Sequence, residues 1–441
     1  MNKTLRSITA AALAVGGLLA VVSLPAGAAA KPHKYKPHTC YELTATALKS
    51  TRVTTKACPR GYTPTKPSLQ GTGLPGDPDL NVPASASLAI NGSSFDAPEV
   101  GATTSGASAY SAGGKVSFSS YPAAGSGTGR TDITNGSVNI GFSDQPMTPT
   151  AGTLPSGATE ANYAQVPYIL GGAVIGYNLG AGFDNVKLTA AEIAGIYNGT
   201  ITQWSDPTIV ATNGGASSGL GKALAGLGTN NEARNTIKVI YRGASSGTTY
   251  AFTDWLHQAG NATQTASGNV MEGTGAAWGA TNVLAAANNA AMAQDIVNTL
   301  GSIGYVEYSY VLIPGNDAIQ TASLQDKNGQ WLQPTLAEIA NAAAAAGTTV
   351  TPDSFSIVNE PGNDVWPFAT YSWALVAKSQ TSEATGEAVV KYLDWETHYA
   401  QNHGIAQGEG YVPLPAAVQA YARAQLQTVT YNGTVLLNQA S

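Results

Sequence analysis

Strand-like segments that each end in a loop of glycine and hydroxyl residues constrain this chain more than any other feature. SLAING runs into Gly92-Ser93-Ser94-Phe95, GGKVSFSSYP into Gly125-Ser126-Gly127-Thr128-Gly129, and Val239-Ile240-Tyr241 into Arg242-Gly243-Ala244-Ser245-Ser246-Gly247-Thr248. NGSVNIGFSDQPM alternates into a further strand that stops at Asp144. A loop after each strand is the grammar of an α/β sheet whose ligand sits at the strand ends. Thr248 to Leu256 is amphipathic and helix-like, so Arg242 to Gly247 occupies a strand-to-helix turn. There the free N–H groups and the positive dipole end of a helix meet whatever binds. Glycine lets the backbone approach a ligand, hydroxyls donate hydrogen bonds, and Arg242 adds a bidentate grip on two oxygens. The expected ligand is a small oxyanion.

The rest of the chain must supply the scaffold for such a cradle. Residues 1–30 carry Lys3 and Arg6, an apolar run from Ile8 to Val22, and small residues ending Ala28-Ala29-Ala30, the pattern of a secretory signal peptide. The apolar run is short for a membrane span, and no cysteine follows it to carry a lipid, so an exported, soluble mature chain is expected. Removing Lys3 and Arg6 from the 21 basic residues leaves 19 against 27 acidic ones, a net charge of −8. That balance disfavours nucleic acid or an anionic membrane as partner. It also requires an anion site to work through local dipoles and one guanidinium, against the overall field.

About 410 mature residues suit two packed lobes. Residues 31–39 are basic and proline-broken, and read as a disordered terminus. Cys40 to about Thr63 suggests two short strands, and Pro64 to Pro83 a linker. The two cysteines, Cys40 and Cys58, are expected to form a disulfide across this hairpin. Gln165 to Leu179 reads as two buried apolar runs broken by Gly171-Gly172, crossing between lobes. Thr189-x-x-Glu192 and Thr335-x-x-Glu338 read as capping boxes that open helices. Asn213 to Leu227, rich in Gly, Ser and Ala, reads as a surface insertion and lacks the phosphate-loop pattern.

Several of these segments together resemble the PstS family, the periplasmic phosphate-binding proteins of phosphate ABC transporters. The resemblance runs over roughly residues 86–425, through GSSFDAP, GSGTGRTDITNGSVNIGFSDQPM, VPYILGGAVIGYNL, LTAAEIAGIYNGTITQWSDPTI, YRGASSGTTYAFTDWL, GSIGYVEYSY, DVWPF and KYLDW. Ser126 and Asp144 stand 18 residues apart, as the family pattern asks. The resemblance implies a two-lobed α/β fold of the periplasmic-binding-protein type II class (Venus flytrap) with mixed central sheets. Lobe one would comprise 84–170 and 364–441, lobe two 171–363, with 31–83 as the stapled segment and linker. It implies a phosphate receptor, with no catalytic role, cofactor or metal, that is monomeric and docks on a membrane permease. By position, Ser94 and Phe95 look like donors of the first loop and Ser126 of the second. Arg242 looks like the salt-bridging residue, with Ser246, Gly247 and Thr248 as a helix-start cradle. Asp144 looks like the acceptor for a phosphate proton, which sulfate lacks. Some members carry Asp where Ala244 stands, which would restrain the arginine.

Rival readings stay open at this level. Gly243 to Gly247 fits Gly-x-Ser-x-Gly at a strand-to-helix turn, which would make Ser245 a hydrolase nucleophile with Asp254 or a later acid and His398 or His403. No HGGG-like oxyanion segment precedes it. The five scattered histidines show no metal-ligand spacing. The 20 tyrosines and 7 tryptophans could form a carbohydrate or adhesive face, though aromatics more often fill cores. A secreted phosphate scavenger or sensor uncoupled from transport is a further alternative.

Overall fold

The computed structural model describes residues 38–43, 48–53, 85–101, 107, 110–111, 116–149, 152–217, 219–260, 278–347, 350–401 and 404–437. The signal segment, residues 31–37 of the basic terminus, the linker, Cys58 and His403 lie outside the described residues; His38 and Thr39, read as part of a disordered terminus, are in a strand. Two strands, β1 (His38–Leu43) and β2 (Leu48–Val53), form an antiparallel pair in the expected N-terminal segment.

The main sheet is organised by one long strand. In chain order there follow β3 (Ala86–Leu88), β4 (Ile90–Gly92), β5 (Val116–Phe118), β6 (Ile140–Ser143), β7 (Tyr163–Asn178), β8 (Lys238–Arg242), β9 (Val283–Ala286), β10 (Ser302–Glu307) and β11 (Gln320–Thr321). Then come β12 (Leu324–Gln325), β13 (Trp331–Leu332) and β14 (Ala369–Ala377). The large sheet has the order β4-β6-β14-β7-β10-β8-β9, with β11 also on β7. Residues Tyr163 to Gly172 of β7 pair with β14, and Ala173 to Asn178 pair with β10, both antiparallel. A strand buried almost end to end reads as a continuous apolar run rather than an alternating one, and QVPYILGGAVIGYN is such a run. Gly171-Gly172 does not break it. A Cβ on Gly171 would lie 2.8 Å from the Phe95 ring, and one on Gly172 would lie 2.6 Å from Ile339, so these glycines admit neighbouring side chains to the strand.

The parallel strands set where a ligand can approach. β4 and β6 are parallel in one half of the sheet, and β8, β9 and β10 in the other. The carboxyl ends of β4, β6, β8 and β9 lead into Ser93, Asp144, Gly243 and Ala287 respectively. β5 departs from the expected pattern: it pairs with β3 in a separate two-stranded sheet. Its following loop still reaches the large sheet, because Gly125 N donates to Gly92 O at 2.8 Å.

Helices begin where the sequence signals them. Thr189 and Glu192 form a complete capping box on Ala190–Tyr197, and the Thr335 side chain caps Leu336–Ala346. Residues 213–227 are not a plain surface insertion. Gly219–Asn230 is a helix whose Leu224 and Leu227 are buried, and Asn213 is buried as well, donating to the Lys187 and Ile209 carbonyls. Glycine and alanine content hid the leucine spacing that seats this helix. The apolar interior forms two cores, one around Trp204, Phe252, Trp255 and Tyr305, the other around Tyr110, Tyr168, Tyr392 and Trp395. β14 serves both, with Tyr371, Trp373 and Leu375 in the first and Ala374 and Val376 in the second. Among the described residues no helix is long and apolar enough to cross a membrane.

Candidate functional site

Three helix starts meet between the two halves of the sheet. The Gly247–Gln258 helix begins after β8 with Ser246 as its cap, the Ser126–Asn135 helix begins within the second glycine segment, and the Asn289–Asn298 helix begins after β9. Hydrogen bonds tie two of them together and link the cluster to the first loop and to Asp144. Gly247 N donates to Ser126 Oγ at 3.1 Å, Asn289 N donates to Ser94 Oγ at 3.0 Å, and Asp144 N donates to Ser126 Oγ at 3.2 Å. Their N-terminal dipole ends converge on one small volume, a setting that attracts negative charge.

All eight residues singled out in the sequence gather here. Ser94, Phe95, Ser126, Asp144, Arg242, Ser246 and Thr248 are each at most 1% exposed, and Gly247 is buried with them. Arg242 Nη1 donates to Ser246 Oγ at 2.9 Å and Ser94 Oγ at 3.3 Å, while Nη2 donates to the Ala287 carbonyl at 3.2 Å. Hydroxyls and a carbonyl thus hold the guanidinium in place of the carboxylate that Ala244 cannot supply. Burial pulls its pKa down, opposed chiefly by Tyr305 and Asp144. Thr248 Oγ1 donates to Asp144 Oδ2 at 3.3 Å. Burial pushes the Asp144 carboxyl up to about 6, against hydrogen bonds from Ser93 and Ser372, the Arg242 charge and Thr248.

The loops are packed too tightly for larger side chains. A Cβ on Gly247 would sit 2.5 Å from Asp144 Cβ, one on Gly125 2.5 Å from Ser245 O, and one on Gly127 2.4 Å from Ser245 Oγ. Gly125 also has φ +109°, a conformation that favours glycine. Tyrosines behind the first loop fix its backbone: Tyr121, Tyr310 and Tyr411 donate to the carbonyls of Ser93, Ser94 and Phe95.

Four residues of this cluster escape sequence reading. Ser93 lies inside the first loop and Asp96 directly after it, neither with a distinguishing pattern, and Ser372 comes from β14, far along the chain. Asn289 had a usable signal, the Asn288-Asn289 pair before an apolar-periodic run, which marks a helix start. The residues of the hydrolase reading are scattered in their contacts. His398 bonds to the Asp394 carbonyl, Asp254 to Ser356 and Gln258, and Ser245 packs against Gly127.

Sheet order, strand-end loops and convergent helix starts define a two-lobed α/β binding protein of the type II class. A sequence model described as a PBP superfamily domain matches residues 78–361. The phosphate-binding protein PstS of Pasteurella multocida is 31% identical over 321 residues, covering 72% of this chain and 83% of that protein. PstS of Xylella fastidiosa is 29% identical over 358 residues, covering 78% and 88%. Among solved structures, a high-affinity periplasmic phosphate-binding protein bound with phosphate (PfluDING) shares the fold with a TM-score of 0.59 at 19% identity, over 79% of this chain and 96% of that one. A phosphate-binding protein from Stenotrophomonas maltophilia does so with a TM-score of 0.57 at 20% identity, over 80% and 96%. The chain belongs to the PBP superfamily and, within it, to the PstS family of phosphate-binding proteins.

Proposed function

We propose that the protein is an exported receptor that binds inorganic phosphate in the cleft between its lobes and delivers it to the permease of a phosphate ABC transporter. The observation that carries this reading is the pairing, in one buried cluster, of Arg242 and three helix starts with the Asp144 carboxyl. Donors alone would suit any oxyanion. An ionised carboxylate among them suits only an anion that still carries a proton, which near neutral pH is phosphate and not sulfate. The names of the PstS relatives, which are phosphate-binding proteins, support the same ligand.

In this reading Ser94, Phe95, Ser126 and Asp144 come from a lobe made of 84–170 and 364–441, and Arg242, Ser246, Gly247 and Thr248 from a lobe made of 171–363. Cross-lobe bonds such as Gly247 N to Ser126 Oγ belong to the closed form, and hinge opening along β7 admits the ion. In this reading the site binds without performing chemistry, and among the described residues Ser245 has no histidine contact of the kind a serine nucleophile uses. Residues 1–30 direct export, and a Cys40–Cys58 disulfide staples the N-terminal hairpin. Calorimetric titration of residues 31–441, stripped of carried ligand, with phosphate and sulfate at equal ionic strength tests the reading. Saturable one-to-one phosphate binding with little response to sulfate is expected. Silence toward phosphate would refute it.

A further inference from the structure

The cleft contains a second buried acid. Asp96 follows Phe95, is fully buried, and stands at the N-cap of the Ala97–Val100 turn, where aspartate ordinarily accepts from the helix start. Its side chain makes no cap bond. Instead Ser372 Oγ lies 2.8 Å from Asp96 Oδ2 and 2.9 Å from Asp144 Oδ1, and among the described residues Asp96 Oδ1 has no partner.

A serine hydroxyl owns one proton, so it can donate to one carboxyl and must accept from the other. Two ionised carboxylates would leave one of these short contacts without a proton and would bury two negative charges beside the anion site. The bridge is satisfied when the pair holds one further proton. Surroundings decide which acid keeps it. Asp144 also receives Thr248 and the Arg242 charge, whereas among the described residues Asp96 receives Ser372 and its own backbone. The other groups that face Asp96 are Glu99 on its own turn, Glu307 at the end of β10, and Tyr121, Tyr310, Tyr392 and Tyr411. None of these is a cation. Burial and the Asp144 charge push the Asp96 carboxyl well up, in the same sense.

We propose that Asp96 is a specificity-determining positioning residue: as a neutral acid it donates to Ser372, whose hydroxyl then donates to Asp144, so that Asp144 is kept ionised and aimed at the bound ion. This deepens the phosphate reading and rests on it for the word specificity. The proton relay itself does not.

Two experiments test it. Infrared difference spectra of the ligand-free protein against Asp96→Asn at neutral pH isolate the carboxyl that the substitution removes. The expected extra band in the wild type is the carbonyl stretch of an un-ionised acid. A carboxylate band in its place overturns the proposal, whether or not the protein binds phosphate. Ser372→Ala cuts the relay while leaving both acids, so it keeps the proposal falsifiable even where Asp96→Asn fails to fold. It is expected to lower the phosphate-to-sulfate affinity ratio roughly tenfold, the worth of one hydrogen bond to a charged group. An unchanged ratio in a variant that still binds phosphate overturns the proposal. A wild type that binds no phosphate defeats the phosphate reading alone, and the infrared result then stands by itself.

Discussion

Gly127→Ala separates closure of the cleft from the chemistry of the ligand. Gly127 lies in the first turn of the Ser126–Asn135 helix, and the substitution leaves every proposed donor in place. The new methyl would meet Ser245 across the cleft, 2.4 Å from Oγ and 2.7 Å from Cβ, where ordinary carbon contacts need about 3.5 Å or more. Rotating the hydroxyl relieves the first contact only. Overpacking of this kind costs about 1–3 kcal/mol, and it falls on the closed form alone, so phosphate affinity should drop between about fivefold and 150-fold. In the open protein the same change replaces glycine by alanine inside a helix, which favours folding by up to about 1 kcal/mol. The two effects have opposite signs. Calorimetry should therefore show weaker binding, while thermal melting shows a ligand-free protein at least as stable as wild type and a smaller shift on adding phosphate. Wild-type affinity in a folded Gly127→Ala protein would refute the reasoning, because it would mean that the Gly127–Ser245 contact is no part of the bound state.

Asp144→Asn should relax the preference for phosphate over sulfate in paired titrations, since the amide no longer repels a fully ionised anion; an unchanged ratio would remove Asp144 from the ion's surroundings. Arg242→Ala should cost about 2–5 kcal/mol of phosphate binding, and wild-type affinity there would sink the cradle. The raised Asp144 pKa also predicts a pH effect on the ligand-free protein. An acid raised on folding contributes stability that is full below its unfolded value of 3.8 and is lost as pH climbs through about 6. The loss is on the order of 3 kcal/mol. The melting temperature of Asp144→Asn relative to wild type should rise across that window and level off above it, and parallel profiles would contradict the burial argument.

Much of this site was legible because its parts are local. A glycine loop, a hydroxyl or an arginine between a strand and a helix is a short-range pattern, and the Thr189 cap follows from a few residues. The helix at Gly219–Asn230 was missed although its signal was local, because glycine and alanine diluted the leucine spacing. β5 was recognised as a strand but not as an outsider to the main sheet, since pairing partners are not written in a strand's own residues.

By itself the sequence determined the ingredients: strand ends that carry N–H groups and hydroxyls, an arginine and an acid to which the proposed site gives anion binding and anion sorting, and a family to which the chain belongs. Tertiary structure decided what stands beside what. β14 returns between β6 and β7 with Trp373 opposite Ser143, and a register shift against β7 falls between Ser372 and Trp373. Such irregularities re-aim side chains, and Ser372 lies between Asp96 and Asp144, 276 and 228 residues away along the chain. A proton shared by two acids is a property of their separation, and separation across that much chain is fixed only when the sheet closes.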